Sequence, residues 1–204
     1  MGGTLFVISG PSGAGKSTMC TRLRKEFSSL ALSRSVTSRA PRHNEQDGVH
    51  YDFVDAERFR QMIEANAFVE WAEVHGNYYG TTRAVVDESL HAGNDLLFDI
   101  DYQGAAGIRA IYPDAVTVML LPPSYDVLEK RLRARGTDSD AVIEARMKNA
   151  RGEIAECVHF DYVIINDDLE QSYERLRSVF IAAQCRPHAQ RDALAARFGV
   201  ALPR

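Results

Sequence analysis

A segment near the N-terminus has the residue types and spacing of a phosphate-binding loop. Residues 10–17, Gly-Pro-Ser-Gly-Ala-Gly-Lys-Ser, fit the pattern G-x-x-x-x-G-K-[ST] between a short apolar run and the start of a helical pattern. Glycines let successive backbone N–H groups turn toward one anion, and a helix N-terminus adds partial positive charge. We expect Lys16 to reach the outer phosphates of a nucleoside triphosphate and the Ser17 hydroxyl to ligate Mg²⁺. The pattern predicts triphosphate binding without specifying a reaction.

Two arginines and three tyrosines indicate a second anion site. Arg39 and Arg42 stand three residues apart in the sequence. In an extended segment their guanidinium groups can reach one phosphate, whose oxygens suit bidentate N–H pairs. The hydroxyls of Tyr51, Tyr78 and Tyr79 can donate to a phosphate, and their rings can wall a base pocket. A solvated basic loop is the alternative for the arginines. An acceptor site is favoured because a phosphoryl-transfer enzyme with a phosphate loop needs one.

Glu70 stands in an apolar context, residues 68–71, and predicts a partner with hydrogen-bond donors. A carboxylate on a half-buried strand is unfavourable unless donors pair with it. Guanine offers two donors, N1–H and N2–H₂, whereas N1 of adenine is an acceptor. Ser35 and Thr81 are candidate donors to guanine O6. The alternative is a glutamate that forms an ion pair on the solvent face.

Asp99 and Asp101 frame the end of a predicted core strand and share one strand face. Ligands of open α/β sheets bind at the carboxyl ends of the strands. We expect Asp99 to help hold Mg²⁺, directly or through water, and Asp101 to accept from a base or ribose. The alternative is that one of the two caps the helix that follows.

Arginines also follow the third core strand. Arg131 and Arg135 are four residues apart and share a helix face, and Arg146 stands farther along the chain. A closing lid would bring such arginines onto a transferring phosphoryl group and exclude water. A solvated helix face is the alternative, and it is favoured for Arg133 but not for Arg135 or Arg146.

The elements that must position these residues alternate between strands and helices, which predicts a mostly parallel sheet. Strands are predicted at 5–8, 96–100, 116–121 and 162–165, and helices from 17 onward and at 104–112, 125–135, 141–157 and 169–184. Residues 35–90 break this rhythm with strands at 51–54 and 68–74 around a helix at 56–65. This region is interpreted as a small β-containing insert. Residues 133–147 are interpreted as a mobile surface segment.

Length and composition limit the classes of protein to which this chain can belong. The 204 residues, 45% hydrophobic, suit one domain with a sizeable core. The net charge of −4 disfavours a basic nucleic-acid-binding surface. No apolar run approaches the roughly 18 residues of a membrane helix, so no membrane partner is expected. The three cysteines are widely spaced, which favours a reducing, cytoplasmic location.

In combination these motifs resemble the guanylate kinase family over residues 5 to about 184. The resemblance rests on residues 10–17, 35–42, 51–53, 68–71, 76–81, 99–104, 135–137 and 166–169. It implies an α/β fold of the P-loop nucleoside monophosphate kinase type, with a parallel sheet core flanked by helices. The chain would form a single domain, 1–204. Its core would comprise 1–34, 92–132 and 148–204, with a GMP-binding β-containing insert at about 35–91 and a helical lid at about 133–147.

The resemblance also implies a reaction, the reversible transfer of the ATP γ-phosphate to GMP, for purine nucleotide metabolism and GMP recycling. Mg²⁺ would act with ATP as co-substrate, held by Ser17 and Asp99. The implied ATP-binding residues are Gly10, Pro11, Ser12, Gly13, Ala14, Gly15, Lys16, Ser17, Thr18, Arg131 and Asn166, with Asn166 near the adenine. The implied GMP-binding residues are Ser35, Arg39, Arg42, Tyr51, Glu70, Tyr79, Thr81, Asp99 and Asp101. The implied catalytic residues are Lys16, Arg39, Arg135 and Arg146. The sequence leaves open whether dGMP is accepted and whether the chain is a monomer or a homo-oligomer.

Three alternatives are weighed against this reading. A non-catalytic peptide-binding module of the same fold would not need the intact phosphate loop. A kinase for another nucleotide or a phosphorylated ribose would not need the guanine-reading set of Ser35, Glu70 and Thr81. A nucleic-acid-dependent NTPase is disfavoured by the net charge. One departure from the family pattern is Tyr102, where a small or aliphatic residue is more common. We expect Tyr102 to pack into the core.

Overall fold

A computed structural model describes residues 3–43, 45–74, 76–134 and 139–202. In chain order the strands are β1 (Leu5–Ser9), β2 (Leu30–Leu32), β3 (Val36–Thr37), β4 (Asp52–Phe53), β5 (Phe68–Val74), β6 (Asn77–Thr82), β7 (Asp95–Asp99), β8 (Val116–Leu121) and β9 (Tyr162–Ile165). The α-helices are α1 (Lys16–Glu26), α2 (Ala56–Glu64), α3 (Arg83–His91), α4 (Tyr102–Ile111), α5 (Tyr125–Arg133), α6 (Asp140–Ala155), α7 (Leu169–Gln184) and α8 (Arg191–Phe198). A 3₁₀ turn, Glu156–His159, follows α6.

The main sheet is parallel, with strand order β2-β7-β1-β8-β9. The predicted parallel core and its four predicted strands are confirmed. These strands read as apolar runs because helices cover both faces of such a sheet, and all five residues of β1 are buried. The fifth strand, β2, was not predicted, since it has three residues and only Leu30 is buried.

Alternation along β1 divides the core between the two faces of the main sheet. Phe6 packs on one face with the Phe180 ring of α7, edge to face, with 5.2 Å between ring centroids. Val7 packs on the other face with Phe98 and with Ile108 of α4. The carboxyl ends of β1 and β7, where the phosphate loop and Asp99 lie, are therefore fixed by packing from both sides.

The predicted β-containing insert forms a second sheet with strand order β4-β3-β6-β5. It has its own small core, in which the Phe59 ring stacks on Phe68 and Tyr78 at centroid distances of 4.5 and 5.3 Å. Asp55, a residue type that favours N-caps, caps α2 by accepting from the Arg58 N–H. The insert is thus a packed layer rather than a loose loop.

A β-bulge in β5 sends three successive side chains into three environments. The pairing of β5 with β6 shifts register between Phe68 and Glu70. Phe68 joins the insert core, whereas Val69 joins the main core beside α4. Glu70, the next residue, is 9% exposed and belongs to neither apolar cluster. Bulges re-aim side chains in this way, and this one directs the carboxylate between the two sheets.

Two further elements escape the sequence analysis. β6 shows no alternation of apolar and polar side chains, so the sequence does not predict it as a strand. α3 follows it directly, with Thr82 capping the helix through the Val85 N–H. Both elements are held by packing and strand pairing rather than by a local pattern.

The segment predicted to be mobile, 133–147, is largely helical where the structure describes it. α6 begins at Asp140, behind Ser139 as N-cap, and its first eight residues fall within that segment. The helix packs on α5 through Met147 and Ala150. Arg135 lies outside the described residues.

The expectations drawn from composition concern membrane contact and thiols. Within the described ranges, no helix is both long and apolar enough to cross a bilayer. Cys20, Cys157 and Cys185 are free cysteines. Burial raises the pKa of the Cys20 thiol, which is typical of a small core residue rather than a nucleophile.

Candidate active site

The phosphate loop joins the central strand β1 to α1 in a conformation that its glycines permit. Gly10, Gly13 and Gly15 have φ values of 143°, 96° and 100°. A Cβ at Gly10 would lie 2.1 Å from the Leu120 carbonyl oxygen, so no other residue fits there. Lys16 Nζ donates to the carbonyls of Gly10 and, at 3.5 Å, Pro11. The ammonium group therefore lies over the phosphate loop, where a bound anion would contact it.

Asn166 and Arg131 support the loop from behind. Asn166 is 5% exposed, and its Nδ2 donates to the Ala14 carbonyl at 2.8 Å. Arg131 donates to the carbonyls of Gly13 and Asn166 at 3.4 and 3.3 Å. These contacts fix the loop, and the predicted contact of Asn166 with adenine stays a prediction.

Ser17 and Asp99 meet at the carboxyl end of the main sheet. Ser17 Oγ donates to Asp99 Oδ2 at 3.4 Å. Desolvation raises the pKa of Asp99, while Lys16 and the Ser17 hydrogen bond oppose that shift. A hydroxyl and a carboxylate are the hard oxygen ligands that Mg²⁺ takes beside phosphate oxygens. The donor set therefore fits a magnesium ion brought by a nucleotide.

Three residues of the insert form a cluster that we call the phosphate clamp: Arg39, Tyr51 and Tyr79. Arg39 Nε donates to the Tyr79 hydroxyl at 3.2 Å, and the Arg39 Cζ atom lies 5.6 Å from the Tyr51 ring centroid. The two tyrosine rings are 6.2 Å apart, edge to face. Arg42 is exposed, and its predicted contact with the phosphate stays a prediction. The clamp gathers a guanidinium and two phenolic hydroxyls, all donors to an anion.

An acidic pocket of about 210 Å³ lies between the clamp and the main sheet. Its described lining consists of Ser35, Tyr51, Glu70, Ala72, Val74, Tyr79, Asp99, Ile100 and Asp101. Three of these nine residues are carboxylates. The pocket therefore favours a ligand that presents N–H donors rather than acceptors.

Glu70 is the most strongly perturbed of these carboxylates. Burial raises the pKa of Glu70 to about 6, the side-chain and backbone hydrogen bonds from Thr81 oppose the shift, and repulsion by Asp101 adds to it. Thr81 is completely buried, with its hydroxyl 3.3 Å from that of Ser33. Thr81 thus orients Glu70 from behind. The direct contact of Thr81 with a base stays a prediction.

Asp101 caps a helix at the edge of the acidic pocket, and its predicted contact with a base or ribose stays a prediction. One carboxylate oxygen caps α4 by accepting from the Gly104 N–H at 2.8 Å. The residue also lines the acidic pocket. Capping therefore restricts the orientation of a carboxylate that lines the pocket.

Arg146 is the one predicted lid arginine that the structure describes. Its Nη1 donates to Ser12 Oγ of the phosphate loop at 3.4 Å. Arg133 instead pairs with Glu129 and Asp140 on the surface, as expected of a solvated helix face. α6 therefore brings one of its arginines to the phosphate loop, and α5 contributes Arg131 from behind.

Two residues near the site were not singled out by the sequence analysis. Glu45 accepts from the side chain of Arg39 and the backbone of Arg42. Glu153 on α6 has Lys16 and Asp101 as electrostatic neighbours, and desolvation raises its pKa. The spacing of Arg146 and Glu153, seven residues and two helical turns, is the signal that could have found Glu153. No comparable signal exists for Glu45, because a loop has no periodicity.

Tyr102 does not line the described part of the acidic pocket. It lines a separate cavity of about 450 Å³ with Arg109, Thr117 and Phe160 among other residues. Its ring is half-buried at the start of α4. Among the described residues Tyr102 belongs to none of the apolar core clusters, so the expectation that it packs into the core is wrong.

Comparisons with known proteins give one family. The guanylate kinase family model matches residues 2–183. A guanylate kinase of Myxococcus xanthus (strain DK1622) is 50% identical over 185 residues, 90% of this chain and 88% of that protein. A guanylate kinase of Dechloromonas aromatica (strain RCB) is 48% identical over 198 residues, 97% and 98% of the two chains. The crystal structure of guanylate kinase from Anaplasma phagocytophilum is similar at a TM-score of 0.74 and 33% identity, covering 97% of this chain and 96% of that one.

A parallel sheet with a phosphate loop after its central strand, beside a smaller sheet, is the architecture of P-loop nucleoside monophosphate kinases. These enzymes are phosphotransferases. The chain belongs to the guanylate kinase family. The family resemblance drawn from the sequence motifs is thereby confirmed.

Proposed function

We propose that the protein catalyses the reversible transfer of the ATP γ-phosphoryl group to GMP, giving ADP and GDP. One observation carries this proposal beyond the family assignment. Asp99 lines the acidic pocket and also bonds to Ser17 of the phosphate loop. A nucleotide in the pocket would therefore lie directly beside a triphosphate in the loop, as direct phosphoryl transfer requires.

Guanine is the base that the acidic pocket suits. Glu70 can accept from N1–H and N2–H₂ together, and Asp101 presents a second acceptor beside it. Adenine would set its N1 acceptor against the Glu70 carboxylate, and an unpaired buried acceptor is unfavourable. The Ser35 hydroxyl lines the same pocket and is the candidate donor to O6.

The phosphate clamp would hold the GMP phosphate as the nucleophile. That phosphate is already an anion at neutral pH, so the reaction demands no strong general base. Lys16 would stabilise the charge on the transferring group from the loop side, and Arg39 would do so from the acceptor side. Arg146 of α6, which already contacts Ser12 Oγ, would also stabilise the charge on the transferring group. Arg135 would do the same, a role that rests on the resemblance alone.

Magnesium would be held by the Ser17 hydroxyl and, directly or through water, by Asp99. When bound with ATP, it supplies neutralisation of the β- and γ-phosphate charges. Asp99 would keep Ser17 oriented, since the two are already hydrogen-bonded. Lys16 would contact the outer phosphate oxygens of the same nucleotide.

The division of labour proposed for the chain follows this site. Residues from about 35 to 91 would bind GMP, residues from about 133 to 147 would close over the phosphates, and the remainder would form the core. The three free cysteines support the proposed cytoplasmic location, where thiols stay reduced.

The decisive experiment is a coupled ADP-release assay with ATP and Mg²⁺ against AMP, GMP, CMP, UMP and dTMP. We expect turnover with GMP alone, because only guanine matches the acceptors of Glu70 and Asp101. Equal turnover with AMP would contradict the assignment of the pocket. No turnover with any of the five, in a folded protein that binds ATP, would favour a phosphorylated ribose or a binding module instead.

The close approach of Gly104 to the Glu70 side chain gives a second test of the proposed base-binding site. A Cβ at Gly104 would lie 3.0 Å from Glu70 Oε2 and 3.1 Å from Ile100 Cδ1. We expect Gly104→Ala to displace the carboxylate and raise the KM for GMP about tenfold, since small misplacements in an active site have large kinetic effects. The KM for ATP should stay unchanged, and steady-state kinetics measure both.

Gly152→Ala is the matched control, because a Cβ there meets no atom within 4 Å. It lies in α6, where alanine is favoured over glycine by roughly 0.5–1 kcal/mol. We expect higher stability in urea unfolding and unaltered kinetics. Wild-type kinetics for Gly104→Ala would show that Glu70 does not depend on this close approach.

A further inference from the structure

The loop between β3 and β4 contains a carboxylate for which the reaction has no direct use. Glu45 Oε1 accepts from Arg39 Nη2 at 2.9 Å, and Glu45 Oε2 accepts from the Arg42 backbone N–H at 2.8 Å. The side chains of Glu45 and Arg39 are each only 15% exposed. The hydrogen bonds from Arg42 and Arg39 hold the pKa of Glu45 below its usual range, although desolvation opposes them. Glu45 is therefore a charged residue that accepts two hydrogen bonds in the wall of the phosphate clamp.

The contacts of Arg39 define one orientation of its guanidinium group. Besides the Glu45 bond, Nε donates to the Tyr79 hydroxyl at 3.2 Å and Nη1 to the Ala40 carbonyl at 2.7 Å. A guanidinium has five N–H groups. Within the part of the chain that the structure describes, these contacts use three, which leaves one on each terminal nitrogen. Two N–H groups on neighbouring nitrogens are what a phosphate takes in a bidentate contact.

We propose that Glu45 is a positioning residue, which holds the Arg39 guanidinium in the orientation that receives the phosphate of the acceptor nucleotide. The inference rests on the proposed function, since it concerns the acceptor site of that reaction. Arginine loses much rotamer freedom when it is ordered, and a side chain ordered before binding does not lose it again. Glu45 also anchors the loop at Arg42, so that the backbone beneath the clamp is fixed with the side chain.

If Glu45 competed with the phosphate for Arg39 instead, its removal would have the opposite effect on GMP binding. A carboxylate on an arginine can also occupy the place of a phosphate and compete with it. Removal of the Glu45 charge would then tighten GMP binding. If Glu45 positions Arg39, removal of its charge weakens binding of the phosphate and leaves binding of the base unchanged.

The test is Glu45→Gln, which keeps the size of the side chain but replaces one acceptor oxygen by a donor. We expect the Kd of GMP to rise about 10- to 100-fold, as for other misplaced active-site groups. Guanosine, which lacks the phosphate, should bind as it does to the wild type. The KM for GMP should rise more than kcat falls, with the KM for ATP unchanged. Calorimetry and the coupled assay give these values.

Asp47→Asn is the matched control in the same loop, because Asp47 Oδ1 accepts from the Phe53 N–H at 2.9 Å and does not contact Arg39 in the described structure. We expect it to lower stability without changing the ratio of GMP to guanosine affinity. Unchanged or tighter GMP binding by Glu45→Gln would overturn the proposal, as would an equal loss for guanosine. Failure of the wild type to phosphorylate GMP would instead overturn the proposed function.

Discussion

Replacing Lys16 by methionine is expected to lower kcat for GMP phosphorylation by at least about 10²–10³-fold, the scale of losing one preorganised charge-stabilising group. Lys16 already lies over the loop carbonyls of Gly10 and Pro11, so it needs little reorganisation to meet a triphosphate. Methionine keeps the length of the aliphatic chain and removes the charge. Single-turnover measurement, with the enzyme in excess over GMP and ATP saturating, isolates the chemical step.

Lys25→Met is the control, since Lys25 is an exposed residue in the last turn of α1. It removes the same charge from the same helix at a distance from the loop, and we expect kcat to be unchanged. Circular dichroism should show both variants folded. Wild-type turnover in Lys16→Met would refute the role of Lys16, and an equal loss in Lys25→Met would show that helix stability is being measured.

Glu70→Gln is expected to lower kcat/KM for GMP by about 10²- to 10⁴-fold. The estimate corresponds to two charge-assisted hydrogen bonds, at about 1.5–3 kcal/mol each. The new amide group would also set a donor against a donor of guanine. Steady-state kinetics with GMP measure the loss, and unaltered activity with GMP would refute the base-binding role of Glu70.

The same substitution should affect stability in the opposite direction. The pKa of Glu70 is raised from 4.5 to about 6, so the folded protein binds its proton more tightly than the unfolded chain does. Stability therefore falls as pH rises from about 4.5 to 6, by up to about 2 kcal/mol, and the loss is complete above pH 6. We expect Glu70→Gln to exceed the wild type in urea unfolding at pH 8 and to lose this advantage near pH 4.5.

Guanosine binding isolates the effect of Glu70 ionisation on affinity, because guanosine carries no phosphate that titrates in the same pH range. Wild-type affinity should fall as pH drops below about 6 and protonates Glu70. The affinity of Glu70→Gln should be weak and independent of pH. A flat wild-type profile would mean that the ionised form of Glu70 is not required.

The parts of the fold that the sequence predicts are those with a strong local pattern. α7 has the predicted bounds, 169–184, because its apolar spacing is helical throughout. Asp and Ser are residue types that favour N-caps, and Asp55 and Ser124 both accept from the backbone N–H three residues on. Buried parallel strands read as continuous apolar runs and were found for the same reason.

The remaining parts depend on contacts between distant residues. β6 has few apolar residues and exists because it pairs with both β3 and β5. The bulge at Glu70 cannot be read from a strand whose alternation looks nearly regular. Asn166 shows the same limit at the site, since its bond to Ala14 spans 152 positions of the chain. Motifs therefore identified the chemistry, whereas the supports behind it required the structure.

The bulge in β5 also places adjacent residues in two separately packed bodies. Val69 is fixed in the main core and Phe68 in the insert core, so this strand joins the smaller sheet to the larger one. If the smaller sheet turned about this join, Glu70 would travel little. β4 lies three strands away, about 14 Å at normal strand spacing, and would travel farthest. Such a turn would thus move Arg39 and Tyr51, in the loop between β3 and β4, farther than Tyr79 on β6, which pairs with β5.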